Sequence, residues 1–295
     1  MKIAIFYTTW TESVEKIVAV GKRLKIKIAP IHYSQIVWRG KIGRAEPTFD
    51  DQPLSDFSVF YFRTVGDKND NLPLLLTYAV EHKIRVVDQY LTRLGGAMRK
   101  KKSNEAVFLL KAGISYPASK FVSDQVATRR LVEGMKKPVI IKSIGGRHGT
   151  STFLIRANSD LDKAFKGRRS VEFLIQDYIP NDGDYRLFLV GYKIIAGFKR
   201  QIKEEKLVLN RSQGASVFLE QIPSEIKREA ERATEILGVE IAGIDLVVDQ
   251  RNQKPVVIEV NQAPEFRIME KRANVDIAAE IVKYLASKKN GRDYG

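Results

Sequence analysis

Apolar positions along this chain alternate between two periods. Ile3-Ala4-Ile5-Phe6-Tyr7-Thr8-Thr9 is a continuous run of the kind a buried strand shows, and Val14, Ile17, Val18 and Leu24 then follow at helical spacing. Strand runs recur at 57–62 and 84–87, with Leu74, Leu75, Tyr78 and Ala79 placed helically between them, so residues 1–95 are expected to form a small α/β unit. No G-x-G-x-x-G follows the first strand, which argues against a dinucleotide site there. Gly95-Gly96 marks a boundary, after which a basic run ending at Lys102 leads into a helix through Val107, Leu109 and Leu110 that stops at Gly113. The pattern then predicts a helix over 123–134, strands at 138–142 and 152–156, and strands at 171–176, 185–190 and 193–198. A helix over 223–237, strands at 242–248 and 255–261, and a helix near 276–288 complete the expectation.

The last strand pair carries the strongest chemical signal. With a turn centred on Asn252, Ile244 faces Val260, Leu246 faces Ile258 and Val248 faces Val256, giving one aliphatic and therefore buried face. On the other face Asp245 lies directly across from Glu259, and Asn261 shares their side. Opposed carboxylates have β-carbons about 4.5–5.5 Å apart and repel by about 3 kcal/mol at an effective dielectric near 20. A divalent cation, a shared proton or a neighbouring Lys or Arg is expected to offset this, the plain alternative being charges splayed into water. Two carboxylates with an amide oxygen suit Mg²⁺, which usually completes its shell with water and substrate phosphates.

Lys142 ends a strand just before Gly145, Gly146 and Gly149, a loop whose backbone amides can approach phosphate oxygens; it can equally be a plain glycine-rich turn with His148 in solvent. It is not a Walker A motif, because G-x-x-x-x-G-K-[ST] is absent and a strand follows. The run Phe173-Leu174-Ile175-Gln176-Asp177-Tyr178-Ile179, then Asp184, Arg186, Arg200, Lys203, Lys206 and Arg211, reads on its own as strand ends and surface cations.

Composition narrows the chemistry. The 295 residues include 44% hydrophobic and 29% charged positions, a globular balance. With no cysteine and three scattered histidines, thiolate chemistry, disulfides and a zinc constellation are excluded, so any metal should be oxygen-bound. No uncharged apolar run approaches the roughly 18 residues of a membrane span, and the first residues lack a signal-peptide layout, which points to a cytoplasmic protein with no membrane partner. The net charge of +15 divides as +4 over 1–95, +12 over 96–170 and −1 over 171–295. That middle excess is either a solvated lysine-rich surface or a wall facing a polyanion.

In order along the chain, Lys102, Ala112-Gly113-Ile114-Ser115-Tyr116-Pro117, Lys142 with its glycine loop, Gln176-Asp177-Tyr178-Ile179, Gly183-Asp184-Tyr185-Arg186, Gly243-Ile244-Asp245 and Glu259-Val260-Asn261-Gln262-Ala263-Pro264 resemble an ATP-grasp ligase, most closely the RimK-like branch. The resemblance implies an α/β (α+β) architecture: a Rossmann-like domain over 1–95, a central subdomain over 96–174 and a C-terminal subdomain over 175–295, with ATP between the last two. It implies that Lys102, Lys142 and the loop with Gly146 and Gly149 meet the phosphates, that Gln176, Asp177, Tyr178 and Ile179 meet adenine, and that Asp184 lies near the ribose. Asp245, Glu259 and Asn261 would hold two Mg²⁺ ions, with Mn²⁺ as a substitute, and Arg186 and Arg211 would stabilise the reacting groups. Lys206 would join the nucleotide contacts, although the arginine and asparagine usual before the Arg211 match are replaced here by Lys206 and Val208, with Asn210 displaced. Ala263 likewise stands where a small hydroxyl residue is common.

The activity so implied is ATP-dependent joining of a carboxylate to an amine through an acyl phosphate. The expected substrates are a glutamate-like amino acid and an acidic peptide, a ribosomal protein terminus or a small carboxylic acid. Nucleic acid is an allowed but not required partner, and a homo-oligomer is allowed. Two other readings stay open: phosphoryl transfer to a hydroxyl on the same fold, and a non-catalytic nucleic-acid or ribosome-associated module using the basic middle segment.

Overall fold

The computed structural model describes residues 1–65, 70–92, 102–144, 152–166, 172–201, 214–215 and 221–287. The first part of the chain forms β1 (Lys2–Tyr7), α1 (Glu12–Arg23), β2 (Lys27–His32), β3 (Val37–Lys41), β4 (Arg44–Phe49), β5 (Gln52–Pro53), β6 (Val59–Phe62), α2 (Asn71–Glu81) and β7 (Arg85–Val87). Strands β2-β1-β6-β7 make a parallel sheet in that order. α1 and α2 are the crossovers that parallel neighbours require. α1 starts where Thr11 accepts the Val14 N–H, has Glu12 and Glu15 in its first turn and Lys22 and Arg23 in its last, and buries Val14, Ile17 and Val20. In α2 the buried positions are Leu72, Leu75, Leu76, Tyr78 and Ala79, while Leu74 is exposed. The small antiparallel sheet β3-β4-β5 has no counterpart in the periodicity, because β3 is largely solvated on both sides and shows no alternation.

The middle of the chain forms α3 (Lys102–Lys111), β8 (Ser119–Val122), α4 (Gln125–Glu133), β9 (Val139–Ser143), β10 (Thr152–Ile155), α5 (Asp160–Phe165) and β11 (Phe173–Asp177). Its four strands are antiparallel in the order β10-β9-β11-β8. β11 thus belongs to this second sheet along its whole length and runs past the expected subdomain boundary at 174/175. The sheet has its own core, in which Val139, Ile141, Phe173 and Ile175 pack against Val132 of α4 and Leu161 of α5.

The last part forms β12 (Gly183–Val190), β13 (Lys193–Gln201), β14 (Gly214–Ala215), α6 (Ser224–Leu237), β15 (Ile241–Val248), β16 (Pro255–Gln262), α7 (Arg267–Ala273) and α8 (Ile277–Ala286). The five strands lie in the order β14-β13-β12-β15-β16. One face is apolar and covered by α6, through Leu187, Ile244, Leu246, Val257 and Val260 against Ile226, Ala230, Ala233 and Leu237. Burying each of these aliphatic side chains contributes about 1.5–3 kcal/mol. The opposite face is divided. At one end Phe188, Phe198 and Ile241 lie under Met269 of α7 and Ile277, Ile281 and Leu285 of α8, in one cluster with Ile3, Ile5, Ile17 and Val20 of the first sheet and its helix. At the other end the same face turns polar, and the candidate site lies there.

The expected hairpin register holds only in part. Ile244 faces Val260 and Asp245 faces Glu259, but a bulge follows, so Leu246 pairs with Val257, Val247 with Val256 and Val248 with Pro255. The expected Leu246–Ile258 and Val248–Val256 pairs are therefore displaced by one residue. Ile258 is the extra residue; it leaves the core, and Val257 is buried in its place.

Candidate functional site

Alternation along four neighbouring strands gathers the charges. Arg186 on β12 lies across from Asp245 on β15, which lies across from Glu259 on β16. Asp184 on β12 lies across from Arg200 on β13. Side chains two residues apart share a face, so Asp184 joins Arg186 and Asn261 joins Glu259. Two lysines approach from elsewhere. Lys102, the first residue of α3, sets its Nζ 3.6 Å from Glu259 Oε1. Lys142 on β9 reaches across from the second sheet and donates its Nζ–H to the Ile258 carbonyl at 3.2 Å. The bulge turns this carbonyl out of the ladder.

The electrostatics are those of a site short of positive charge at its centre. Asp245 is largely buried, and its Oδ1 has no hydrogen-bond partner among the described residues. Arg186 Nε and Arg200 NH2 stop 3.8 Å from its carboxylate oxygens, an attractive distance but beyond a hydrogen bond. Burial raises the Asp245 carboxyl to about 6, with Asp184 and Glu259 adding to the rise and the two arginines opposing it. Burial also brings Lys142 down to about 8, against the pull of Glu259, Glu105 and Asp245. An orphaned carboxylate oxygen facing a second carboxylate, with an amide side chain beside them, fits an oxygen-seeking divalent cation. Asp245, Glu259 and Asn261 are the residues that could hold it.

The other anticipated residues divide. Asp184 is buried, and its carboxylate accepts both oxygens' worth of bonds from Arg200, the Nε lying 2.9 Å from each. It braces Arg200 here instead of facing outward. Gln176 is buried and donates to Ser119 Oγ at 2.9 Å, the Asp177 N–H donates to the Ala118 carbonyl at 3.0 Å, and the Ile179 carbonyl accepts from Asn181 at 2.7 Å. With the half-buried Tyr178 this segment leads from β11 of the second sheet to β12 of the third. Gly146, Gly149, Lys206 and Arg211 lie outside the described residues. Two contributors went unrecognised in the sequence. Arg200 is only one of a string of cations there, and its cross-strand pairing with Asp184 is what marks it. Glu105 is an ordinary helix residue until its partner, 155 positions away, is known.

Gly243 sets the spacing at the far end of the hairpin. A Cβ there would lie 2.8 Å from Pro264 Cβ and 3.8 Å from Asn261 Cβ. Gly243→Ala is accordingly expected to push Pro264 away and destabilise the protein by about 1–3 kcal/mol, read from urea denaturation. An unchanged midpoint would show that the loop gives way freely.

Among the described residues no helix is long and apolar enough to cross a membrane. A family model described as the RimK-like ATP-grasp domain matches residues 97–285. A protein of Hahella chejuensis named probable alpha-L-glutamate ligase 2 is 29% identical over 183 residues, covering 60% of this chain and 59% of that protein. The probable alpha-L-glutamate ligase of Stutzerimonas stutzeri is 33% identical over 191 residues, covering 62% of this chain and 61% of its own. The match thus spans about three fifths of the length of these curated relatives. Among solved structures, the ATP-grasp ligase PsnB complexed with a minimal precursor superposes with a TM-score of 0.71 at 18% identity, over 98% of this chain and 99% of that one. A RimK domain ATP-grasp protein from Sphaerobacter thermophilus gives 0.68 at 17% identity, over 97% and 100%. The fold is the ATP-grasp fold, with a parallel Rossmann-like sheet ahead of two antiparallel α+β units. The domain match over residues 97–285, well over half of the chain, makes this protein a member of the RimK-like ATP-grasp family.

Proposed function

We propose that the chain is an ATP- and Mg²⁺-dependent carboxylate–amine ligase that adds a glutamate-like amino acid to an acidic peptide, a protein terminus or a small carboxylic acid. The observation that carries this reading is the Asp245–Glu259 pair, with one largely buried oxygen of Asp245 unpartnered among the described residues and four cationic side chains pointing in from three other strands and a helix. The names of the glutamate-ligase relatives support the amine, and a PsnB structure titled as a complex with precursor, Mg and ADP supports the peptide and the nucleotide.

The chemistry needs no protein nucleophile. A substrate carboxylate oxygen attacks the γ-phosphorus of ATP, ADP leaves, the amine then attacks the acyl carbon, and phosphate leaves as the C–N bond forms. Positioning and charge neutralisation dominate such a reaction. Lys142 and Lys102 are suited to phosphate oxygens, with Gly146 and Gly149 in the covering loop, and Gln176 to Ile179 to the adenine. Arg186 is suited to the transferring phosphoryl group and, with Arg211, to the oxyanion of the tetrahedral intermediate; Arg200, braced by Asp184, backs Asp245. Mg²⁺ held by Asp245, Glu259 and Asn261 would neutralise charge on the phosphate oxygens. The division into a first domain over 1–95 and two ATP-grasp subdomains belongs to this reading, with the junction between the latter two after β11.

The test is ADP release with amino acids offered beside acidic peptides and small carboxylic acids, followed by product mass. A product heavier than the acid by an amino acid less water supports the ligase; ADP release with a phosphorylated product overturns it. Lys142 adds a pH signature. Its lowered value means that the charge needed at the phosphates is present below about 8 and lost above it. kcat/KM for ATP is therefore expected to fall with rising pH through about 8, since that ratio reports groups of the free enzyme. A profile flat to pH 9.5 would remove Lys142 from the phosphate site.

A further inference from the structure

β16 is the outer strand of its sheet, so its outward N–H groups have no ladder partner. α3 and the chain that follows it close two of them. The Val257 N–H donates to the Ser115 carbonyl at 2.8 Å, and the Val260 N–H donates to Glu105 Oε1 at 3.0 Å. Between these anchors lies the bulge at Ile258, and on either side of Val260 stand Glu259 and Asn261. A bulge loosens a ladder where it occurs, so this stretch depends on its outer bonds more than a regular strand does.

Glu105 is an unusual choice for closing an edge. It is buried, at 2% exposure, and a buried carboxylate is costly unless its bonds repay the lost hydration. A charged acceptor makes a hydrogen bond roughly twice as strong as a neutral one. The same oxygen accepts from the Tyr116 hydroxyl at 3.4 Å, and that hydroxyl lies beside the Gln176 side chain. Glu105 further lies one helical turn from Lys102, whose ammonium faces Glu259. A single carboxylate thus ties the strand bearing Glu259 and Asn261 to the helix bearing Lys102 and, through Tyr116, to the end of β11.

We propose that Glu105 is a positioning residue for the metal-binding strand: by holding the Val260 amide it fixes Glu259 and Asn261 in the geometry that takes the cation. The proposal rests on the ligase reading of the site and adds to it a residue that touches neither metal nor nucleotide.

The test uses the full chain and Mn²⁺ titrated in the presence of ADP, followed by electron paramagnetic resonance, so that no turnover is needed. Glu105→Ala is expected to weaken Mn²⁺ binding about 10- to 100-fold, the range for supporting partners of metal ligands. Amide hydrogen exchange over 256–262 should accelerate in the same variant. Glu105→Gln keeps an oxygen in the same place and is expected to restore most of both. Wild-type Mn²⁺ affinity in Glu105→Ala overturns the proposal, as does equal weakening by both variants with exchange over 256–262 unchanged. Should Glu105→Ala not fold, Glu105→Gln decides alone: near wild-type affinity supports positioning, and a tenfold loss without faster exchange overturns it. A wild-type protein that binds no Mn²⁺ with ADP refutes the ligase reading itself, which separates the two failures.

Discussion

Glu259→Gln is expected to reduce ADP release about a thousandfold while leaving the fold intact. The substitution keeps the side chain's shape and removes one of the two opposed charges to which the proposed function assigns the metal. A bound cation contributes several kcal/mol of charge stabilisation in the transition state, and about 4 kcal/mol corresponds to three powers of ten in rate. The fold should survive because Glu259 is one-third exposed and Lys102, which faces it at 3.6 Å, keeps solvent access. Steady-state ADP release and a thermal melt on the same sample check both halves. Retained turnover would take the metal away from this strand pair, whatever the nucleotide does.

Asp245→Asn should show the same loss of activity together with a gain in stability at high pH. In the metal-free protein the Asp245 carboxyl titrates near 6, above its ordinary value of 3.8, because burial disfavours its charge. The folded state therefore binds the proton more tightly than the unfolded chain, and stability falls as pH rises from about 4 to about 6. Above that window the buried charge is carried in full, at about 3 kcal/mol for a shift of roughly two pKa units. Asparagine carries no charge, so chelator-treated Asp245→Asn should melt higher than wild type at pH 8, with the gain vanishing near pH 4. A variant that melts lower at pH 8 would mean that Arg186 and Arg200 already neutralise Asp245. Placing a destabilising group where a ligand will later satisfy it is how a functional site departs from the best-folding sequence.

The opposition of these two carboxylates was legible because Asp245 is the one polar residue in the aliphatic run from Ile244 to Val248, so the face it occupies is the one that cannot be wholly apolar. On the partner strand Val256, Val257 and Ile258 are all aliphatic, so the pattern holds no mark of which one turns outward. The bulge, and with it the Ile258 carbonyl offered to Lys142, emerges only when the strand is packed. Lys102 and Lys142 became visible through the order of motifs, since nothing local distinguishes them from other lysines. Arg200 and Glu105 were not legible, because each is defined by a partner brought near by the fold. The β3-β4-β5 sheet was missed for a different reason: solvated strands leave no alternation to read.

The helix α8 has a mechanical consequence. It joins the first sheet and the five-stranded sheet in one apolar cluster, with α1 on one side of it and Phe188 and Ile241 on the other. The β8–β11 sheet has its own core and reaches the larger cluster, among its buried strand residues, through Leu174 alone. The β8–β11 sheet is thus a separately cored unit, joined to the five-stranded sheet by the chain at 178–182 and by the bond from Lys142 to the Ile258 carbonyl. Lys142 and the Asp245–Glu259 pair therefore belong to separately packed units, so any displacement of one core against the other changes the distance between them.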